Sequence, residues 1–245
     1  MTGAGRGIGR ATASLLARRG YRVMAVARTE SDLRSLAETE AIDYIVGTVE
    51  TPAGCANIVS EANRRLGPVE VLVNSAGVDT GRERPIWEQD PEVWRDTMAL
   101  NLDAPFELTR LTVAAMIDRR WGRIVMVSST AGSVGGPSMS AYCASKHGLL
   151  GLMRSVAQDV APYDVTCNAV APGWVRTPMS ERTARLEAGQ RGVTVDQVWA
   201  ERAASYAAGR VVTPEEVAAA IAFLVGDDAS GVSGETLTVA LGGVW

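Results

Sequence analysis

The chain has 245 residues, 47% hydrophobic and 21% charged, with a formal net charge of −4. Such a composition suits a globular α/β protein that buries its core without disulfides or metal, and the acidic balance speaks against a nucleic-acid partner. Cys55, Cys143 and Cys167 lack paired spacing and His147 is the lone histidine, so a disulfide framework, a zinc site and a serine–histidine triad all drop out. No apolar run is long enough to span a bilayer and no signal peptide is visible, which makes the cytoplasm the simplest location.

The first element is a glycine-rich turn, Thr2-Gly3-Ala4-Gly5-Arg6-Gly7-Ile8-Gly9, opening a helix over 7–19. Glycines let a backbone turn tightly and approach a pyrophosphate, and the helix N-terminus offers free N–H groups and partial positive charge. Alone, such a turn is equally a structural loop. Here a helix follows at once and then a strand over 21–27, which raises the dinucleotide reading. Almost nothing precedes the turn, so the strand normally at the sheet centre is truncated. We expect either a natural start upstream or a stub in that place, because losing a central strand forfeits much apolar burial.

At the end of the 21–27 strand stand Arg28 and Thr29 where an acidic residue would favour NAD. A guanidinium pairs well with a 2′-phosphate, so NADP(H) is favoured, with Arg6 as a second cation. Glu30 could instead bond the ribose, which keeps NAD(H) open.

Helices are then expected at 31–40, 52–66, 91–120, 140–161 and 214–226, and strands at 42–47, 69–74, 123–128, 163–171 and 236–240. The strands are short and rich in Val and Ile, as in a parallel sheet covered on both faces. Asp90-Pro91 and Thr213-Pro214 read as capped helix starts, with Glu216 completing a capping box. The alternation predicts an α/β fold: one doubly wound Rossmann-type domain over 1–245, helices on both faces and its first strand truncated.

Tyr142 and Lys146 are four apart and so share a helix face. A nearby ammonium stabilises a phenolate, which would let Tyr142 protonate a carbonyl or deprotonate an alcohol. A lone Y-x-x-x-K is common by chance. Ser129, thirteen residues earlier, directly follows a strand, where such sheets present catalytic groups; its plain alternative is a turn bond or helix cap.

With these residues in place the chain resembles the short-chain dehydrogenase/reductase family over nearly its whole length. The matching motifs, in order, are T-G-A-G-R-G-I-G at 2–9, N-S-A-G at 74–77, Asn101 in A-L-N-L, Ser129, Y-C-A-S-K at 142–146, and N-A-V-A-P-G at 168–173 followed by Thr177. The resemblance implies that Asn101 holds a water relaying protons through Lys146. It makes Ser129 the residue that orients the substrate oxygen and Tyr142 the acid/base. Lys146 would also bond the nicotinamide ribose, and Asn74, Ala76 and Gly77 would floor the adenosine side. Pro172, Gly173, Val175 and Thr177 fall on the nicotinamide or pyrophosphate side, while Gly3, Arg6, Gly7, Ile8 and Gly9 cradle the phosphates. The stretch 25–33 looks like the NADP-using carbonyl reductases. One departure is Gly47-Thr48-Val49-Glu50, where the family carries an adenine-contacting aspartate; either Thr48 or Glu50 substitutes, or that contact is lost.

The resemblance makes 178–212 a lid, with Trp174, Met179, Trp199 and Val134 either lining an apolar pocket or packing the core. Arg182, Arg185, Arg191 and Arg202 are balanced by Glu181, Glu187, Asp196 and Glu201, so a solvated face is favoured over an anion site. His147 reads as structural or interfacial, and Cys143 as a packing residue. Pairing through the helices at 91–120 and 140–161, and an apolar C-terminus ending in Trp245, imply a homo-oligomer, tetramer or dimer. The expected activity is hydride exchange with a ketone or secondary alcohol, as a carbonyl or 3-oxoacyl reductase. The alternatives are an NAD-linked secondary-alcohol, sugar or diol dehydrogenase, and a catalytically silent cofactor-binding sensor. A hydrolase lacks its histidine and its G-x-S-x-G elbow.

Overall fold

Six parallel strands carry the architecture of the computed structural model, which describes residues 1–82 and 84–243. They are β1 (Val23–Ala27), β2 (Ile42–Val46), β3 (Val71–Asn74), β4 (Gly122–Val127), β5 (Val165–Pro172) and β6 (Thr236–Val239). Two hydrogen-bonded groups form, β1-β2 and β3-β4-β5-β6. Residues 1–4 join them. Val26 N–H donates to Met1 O at 2.9 Å, Thr2 N–H to Val73 O at 3.1 Å and Ala4 N–H to Val26 O at 3.1 Å. The expected stub therefore sits at the sheet centre, between β1 and β3, and the chain crosses over there as doubly wound sheets do. The Met1 ammonium donates to Met24 O at 2.9 Å, and burial lowers its pKa to about 6. Beneath it a cavity of about 320 Å³ runs along the edges of β1 and β3, lined by Met24, Ile58, Leu66, Leu72 and Leu108.

Strand residues alternate between faces, as a period of two demands. Met24, Val26, Leu72, Ile124 and Met126 join one buried cluster with Cys55, Leu108, Leu149 and Met153, from α3 (Pro52–Leu66), α5 (Ala104–Arg119) and α6 (Ser140–Val160). Val23, Ala25, Val73, Val125 and Val127 join the other with Leu16, Leu33 and Ile221, from α1 (Gly7–Arg18), α2 (Glu30–Ala37) and α9 (Pro214–Leu224). Each buried Leu or Ile contributes roughly 1.5–3 kcal/mol, so both faces are stabilised and the strand ends are held rigidly.

The expected single helix over 91–120 is two. α4 (Pro91–Met98) leads into one π-helical turn over Ala99–Asp103 before α5 begins. Pro105 has no N–H to give the carbonyl of Asn101 four residues back, so the ladder widens there. Segment 178–212, read from its charges as a helical face without bounded elements, contains α7 (Pro178–Arg191) and α8 (Val195–Ala204). Both open with capping boxes, Thr177 with Ser180 and Thr194 with Gln197. The predicted Thr213–Glu216 box opens α9, and Asp90 caps α4. No described helix is long and apolar enough to cross a membrane, and the described residues hold no His/Cys/Asp/Glu group suited to a metal. The expectation for Trp245 lies outside the described residues.

Candidate active site

The glycine turn is shaped by contacts that leave no room for side chains. Gly3 and Gly7 adopt left-handed φ values of 67° and 52°. A Cβ on Gly3 would lie 2.8 Å from Ala76 N, and one on Gly9 would lie 2.0 Å from Gly3 O. Thr2 Oγ1 accepts the N–H groups of Ser75 and Ala76 at 3.2 and 3.1 Å, tying the turn to the loop after β3. Arg6, the N-cap of α1, makes no side-chain cap bond, so no side chain of its own caps the first N–H groups of this helix. That leaves a cradle suited to a diphosphate.

One turn of α6 carries the pair expected to be catalytic. Tyr142 is half-buried, and the Lys146 ammonium lies 5.7 Å from its ring centroid. Lys146 is buried, and its Nζ donates to Val127 O at 3.0 Å at the end of β4. Burial lowers its pKa from 10.5 to about 8. Asn101, on the π-helical turn, accepts from Val78 N–H at 2.8 Å. Its Nδ2 donates to Val78 O at 2.9 Å and to Ser145 Oγ at 3.1 Å. A Cβ on Gly77 would lie 3.2 Å from Asn101 Oδ1 and 3.5 Å from Lys146 Nζ, so the missing side chain is what lets these groups converge.

These elements border a single cleft of about 460 Å³. Of the predicted site residues, Gly3, Arg6, Gly7, Ile8, Gly9, Arg28, Thr29, Ala76, Gly77, Tyr142, Lys146 and Thr177 line it. The rest stand behind its walls. Asn101 is buried next to Gly77. Ser129 Oγ accepts from Ala131 N–H at 3.1 Å as the cap of a 3-10 turn, while its neighbour Ser128 lines the cleft and donates to Lys146 O at 3.3 Å. Asn74 is buried beneath the Ser75–Gly77 loop, both side-chain amide atoms unpartnered. Pro172 ends β5, Gly173 packs against the Tyr206 hydroxyl, and Val175 is buried and bridged to Val212.

At the end of the cleft where the sequence leads one to expect the adenosine, Arg28 Nη1 bonds Glu50 Oε1 at 2.7 Å and Arg6 Nε bonds Asp32 Oδ2 at 2.6 Å. Glu30 does not reach the cleft; it holds Arg34 at 2.7 Å. Asp32, Met179 and Arg182 also line the cleft, and the sequence reading did not assign them to the cofactor side. Asp32 had a detectable signal: it lies one helical turn past Arg28 on a helix that starts at the strand end.

One open alternative is decided and one sequence expectation is corrected. Trp199 does not line the cleft; it is buried in a small core between α7 and α8 with Ala184, Ala188 and Val198. Arg202 is not on a solvated face. It is 6% exposed, stacked 3.8 Å from the Trp174 ring and 5.0 Å from the Trp199 ring, and paired with Glu187 at 2.9 Å. Two tryptophans at the right distance make a cation–π site there, which desolvates the guanidinium. A cleft with a glycine cradle at one end and a phenol–ammonium pair at the other fits a dinucleotide laid across the strand ends.

Comparison with known proteins agrees with this geometry. The family model described as short chain dehydrogenase matches residues 1–188. The 3-oxoacyl-[acyl-carrier-protein] reductase FabG of Escherichia coli (strain K12) is 35% identical over 241 residues, covering 98% of this chain and 93% of its own. Its counterpart from Vibrio cholerae serotype O1 is 36% identical over 246 residues, covering 98% and 93%. Among solved structures, a single-residue variant of actinorhodin polyketide ketoreductase with NADPH superposes with a TM-score of 0.93 at 34% identity, covering 98% of this chain and 94% of that one. Levodione reductase gives 0.93 at 28% identity, covering 98% and 95%. The chain belongs to the short chain dehydrogenase family and is a dehydrogenase/reductase.

Proposed function

We propose that this protein is an NADP(H)-dependent carbonyl or 3-oxoacyl reductase in which Tyr142 exchanges a proton with the substrate oxygen. The observation that carries the reading is that one cleft joins the glycine cradle to Tyr142 and Lys146. The relatives named for 3-oxoacyl reduction and the neighbour solved with NADPH support the substrate class and the cofactor.

When bound, the nicotinamide supplies the hydride to the carbonyl carbon. Tyr142 Oη gives its proton to the carbonyl oxygen, turning the ketone into an alcohol and the phenol into a phenolate. The Lys146 ammonium stabilises that phenolate and Asn101, behind Gly77, lies where a water can return the proton through Lys146. Ser129 orients the oxygen once it exchanges its local cap bond for the substrate. Gly3, Gly7 and Gly9 keep the backbone near the diphosphate, and Arg28 and Arg6 meet the 2′-phosphate. Segment 178–212 acts as the lid of a single domain, with Met179 and Arg182 on its cleft side. Half-exposed Trp94 and Phe106 on α4 and α5, and Phe223 and Leu237 on α9 and β6, support a homodimer or homotetramer. An NAD-linked alcohol dehydrogenase is the second reading, favoured by Asp32 at the adenosine end.

Tyr142→Phe tests the proposal. Turnover in a carbonyl and alcohol panel should fall at least about a thousandfold, within the range of acid–base contributions, while NADPH binding holds. Unchanged turnover overturns the mechanism. Initial rates with NADH equal to those with NADPH overturn the cofactor assignment.

A further inference from the structure

The two cations at the adenosine end are each already neutralised by a carboxylate of the chain itself. Arg28 and Glu50 are bonded at 2.7 Å, and Arg6 and Asp32 at 2.6 Å. Neither carboxylate is there by a chance rotamer alone. Thr48 Oγ1 donates to Glu50 Oε2 at 3.0 Å and accepts the Glu50 N–H at 3.2 Å, which aims Glu50 across the mouth towards Arg28. Asp32 is fixed by close packing. Its Cβ would lie 3.1 Å from a Cβ on Gly5, its carboxylate side chain is 23% exposed against 59% for Arg6, and its backbone carbonyl accepts from Arg10 Nη1 at 2.9 Å.

Each of the two pairs is internally neutral, so of the nearby cations only Arg10, held on the Asp32 carbonyl, has no carboxylate partner among these groups. A 2′-phosphate carries negative charge and three acceptor oxygens, and must compete with both carboxylates for the guanidinium groups and meet their repulsion. An unphosphorylated ribose meets no such competition, and carboxylates are the acceptors its hydroxyls require. We propose that Asp32 and Glu50 are resident counter-ions of the 2′-phosphate subsite and set how strongly the protein discriminates NADPH from NADH. This rests on the cofactor reading above. Neutralising them raises the preference for the phosphorylated cofactor, although neither residue bonds the phosphate.

The test compares the intact protein with Glu50→Gln, Asp32→Asn and the double variant, using calorimetry with adenosine 2′,5′-bisphosphate and with 5′-AMP. Exposed ion pairs are worth up to about 1 kcal/mol, so each single variant should bind the bisphosphate up to about fivefold tighter, and the double variant more than either. Affinity for 5′-AMP should stay level or weaken. The gain should shrink at high salt. Unchanged or weakened bisphosphate binding in the double variant, or equal tightening for both ligands, overturns the counter-ion role. Arg28→Ala separates the two layers: it should lose bisphosphate affinity and keep that for 5′-AMP. If it loses neither, the 2′-phosphate assignment itself fails, and the counter-ion role with it.

Discussion

Lys146→Met isolates the electrostatic half of the proposed chemistry. The ammonium lies 5.7 Å from the Tyr142 ring centroid, inside a wall where it is buried. With an effective dielectric of about 20, a unit charge at that separation stabilises the phenolate by about 3 kcal/mol. That is about two pH units in the ionisation of the phenol, or about a hundredfold in a rate limited by it. The assay is alcohol oxidation followed by nicotinamide absorbance across a pH series. The acidic limb of kcat, set by ionisation of Tyr142, should move about two units upward in the variant, and Lys146→Arg, which keeps the charge, should restore most of it. Because burial lowers the pKa of Lys146 to about 8, the ammonium is present below that pH and fades above it. The gap between wild type and variant should therefore be widest below pH 8 and close as pH rises. A variant whose kcat falls by the same factor at every pH would show that Lys146 acts only by position.

Gly9→Ala places a Cβ 2.0 Å from Gly3 O, so the turn must open; we expect a loss of about 3 kcal/mol in denaturant unfolding and of nicotinamide-nucleotide binding, and normal binding would refute the cradle. The Met1 ammonium has a folded pKa of about 6 against 8.0 when free. The unfolded chain then binds the extra proton between those values, so stability should rise with pH across that window, by up to about 3 kcal/mol, and N-terminal acetylation should flatten the rise. Glu187→Gln removes the carboxylate from buried Arg202, and should lower the melting temperature by the equivalent of about 1–2 kcal/mol, whereas the Glu187→Gln/Arg202→Leu double variant should cost less than the sum of the two single losses. Additive losses would show that the two side chains are not coupled.

Most strands and helices were legible because parallel strands buried on both faces read as unbroken Val and Ile runs, and because Thr213-Pro214 and Asp90-Pro91 announce their helices. The candidate catalytic face was legible for a local reason: the spacing of Tyr142 and Lys146 is one helical turn. Other features depended on contacts between distant segments. Pro105 was visible, yet its effect falls on the carbonyl of Asn101, and the resulting π-helical turn was not foreseen. Thr177 and Thr194 signalled the starts of α7 and α8, but the charge-rich stretch between obscured them. Nothing local shows that Arg202 folds inward between two indoles while Arg191, at the end of α7, stays outside with Glu187 and Glu201. The partners of Arg28 and Arg6 are likewise set by how α2 and the loop after β2 meet the glycine turn.

Residues 1–4 enter the sheet through its middle rather than at an edge. Any tag or fusion joined to Met1 must thread between β1 and β3, over the cavity lined by Leu66 and Leu72, before it reaches solvent. The first few joined residues should therefore extend the sheet, with side chains alternating between the two helical layers. Expression vectors that place extended, β-branched residues there should yield a sturdier protein than those that place glycine, serine or a polyhistidine run against the same walls.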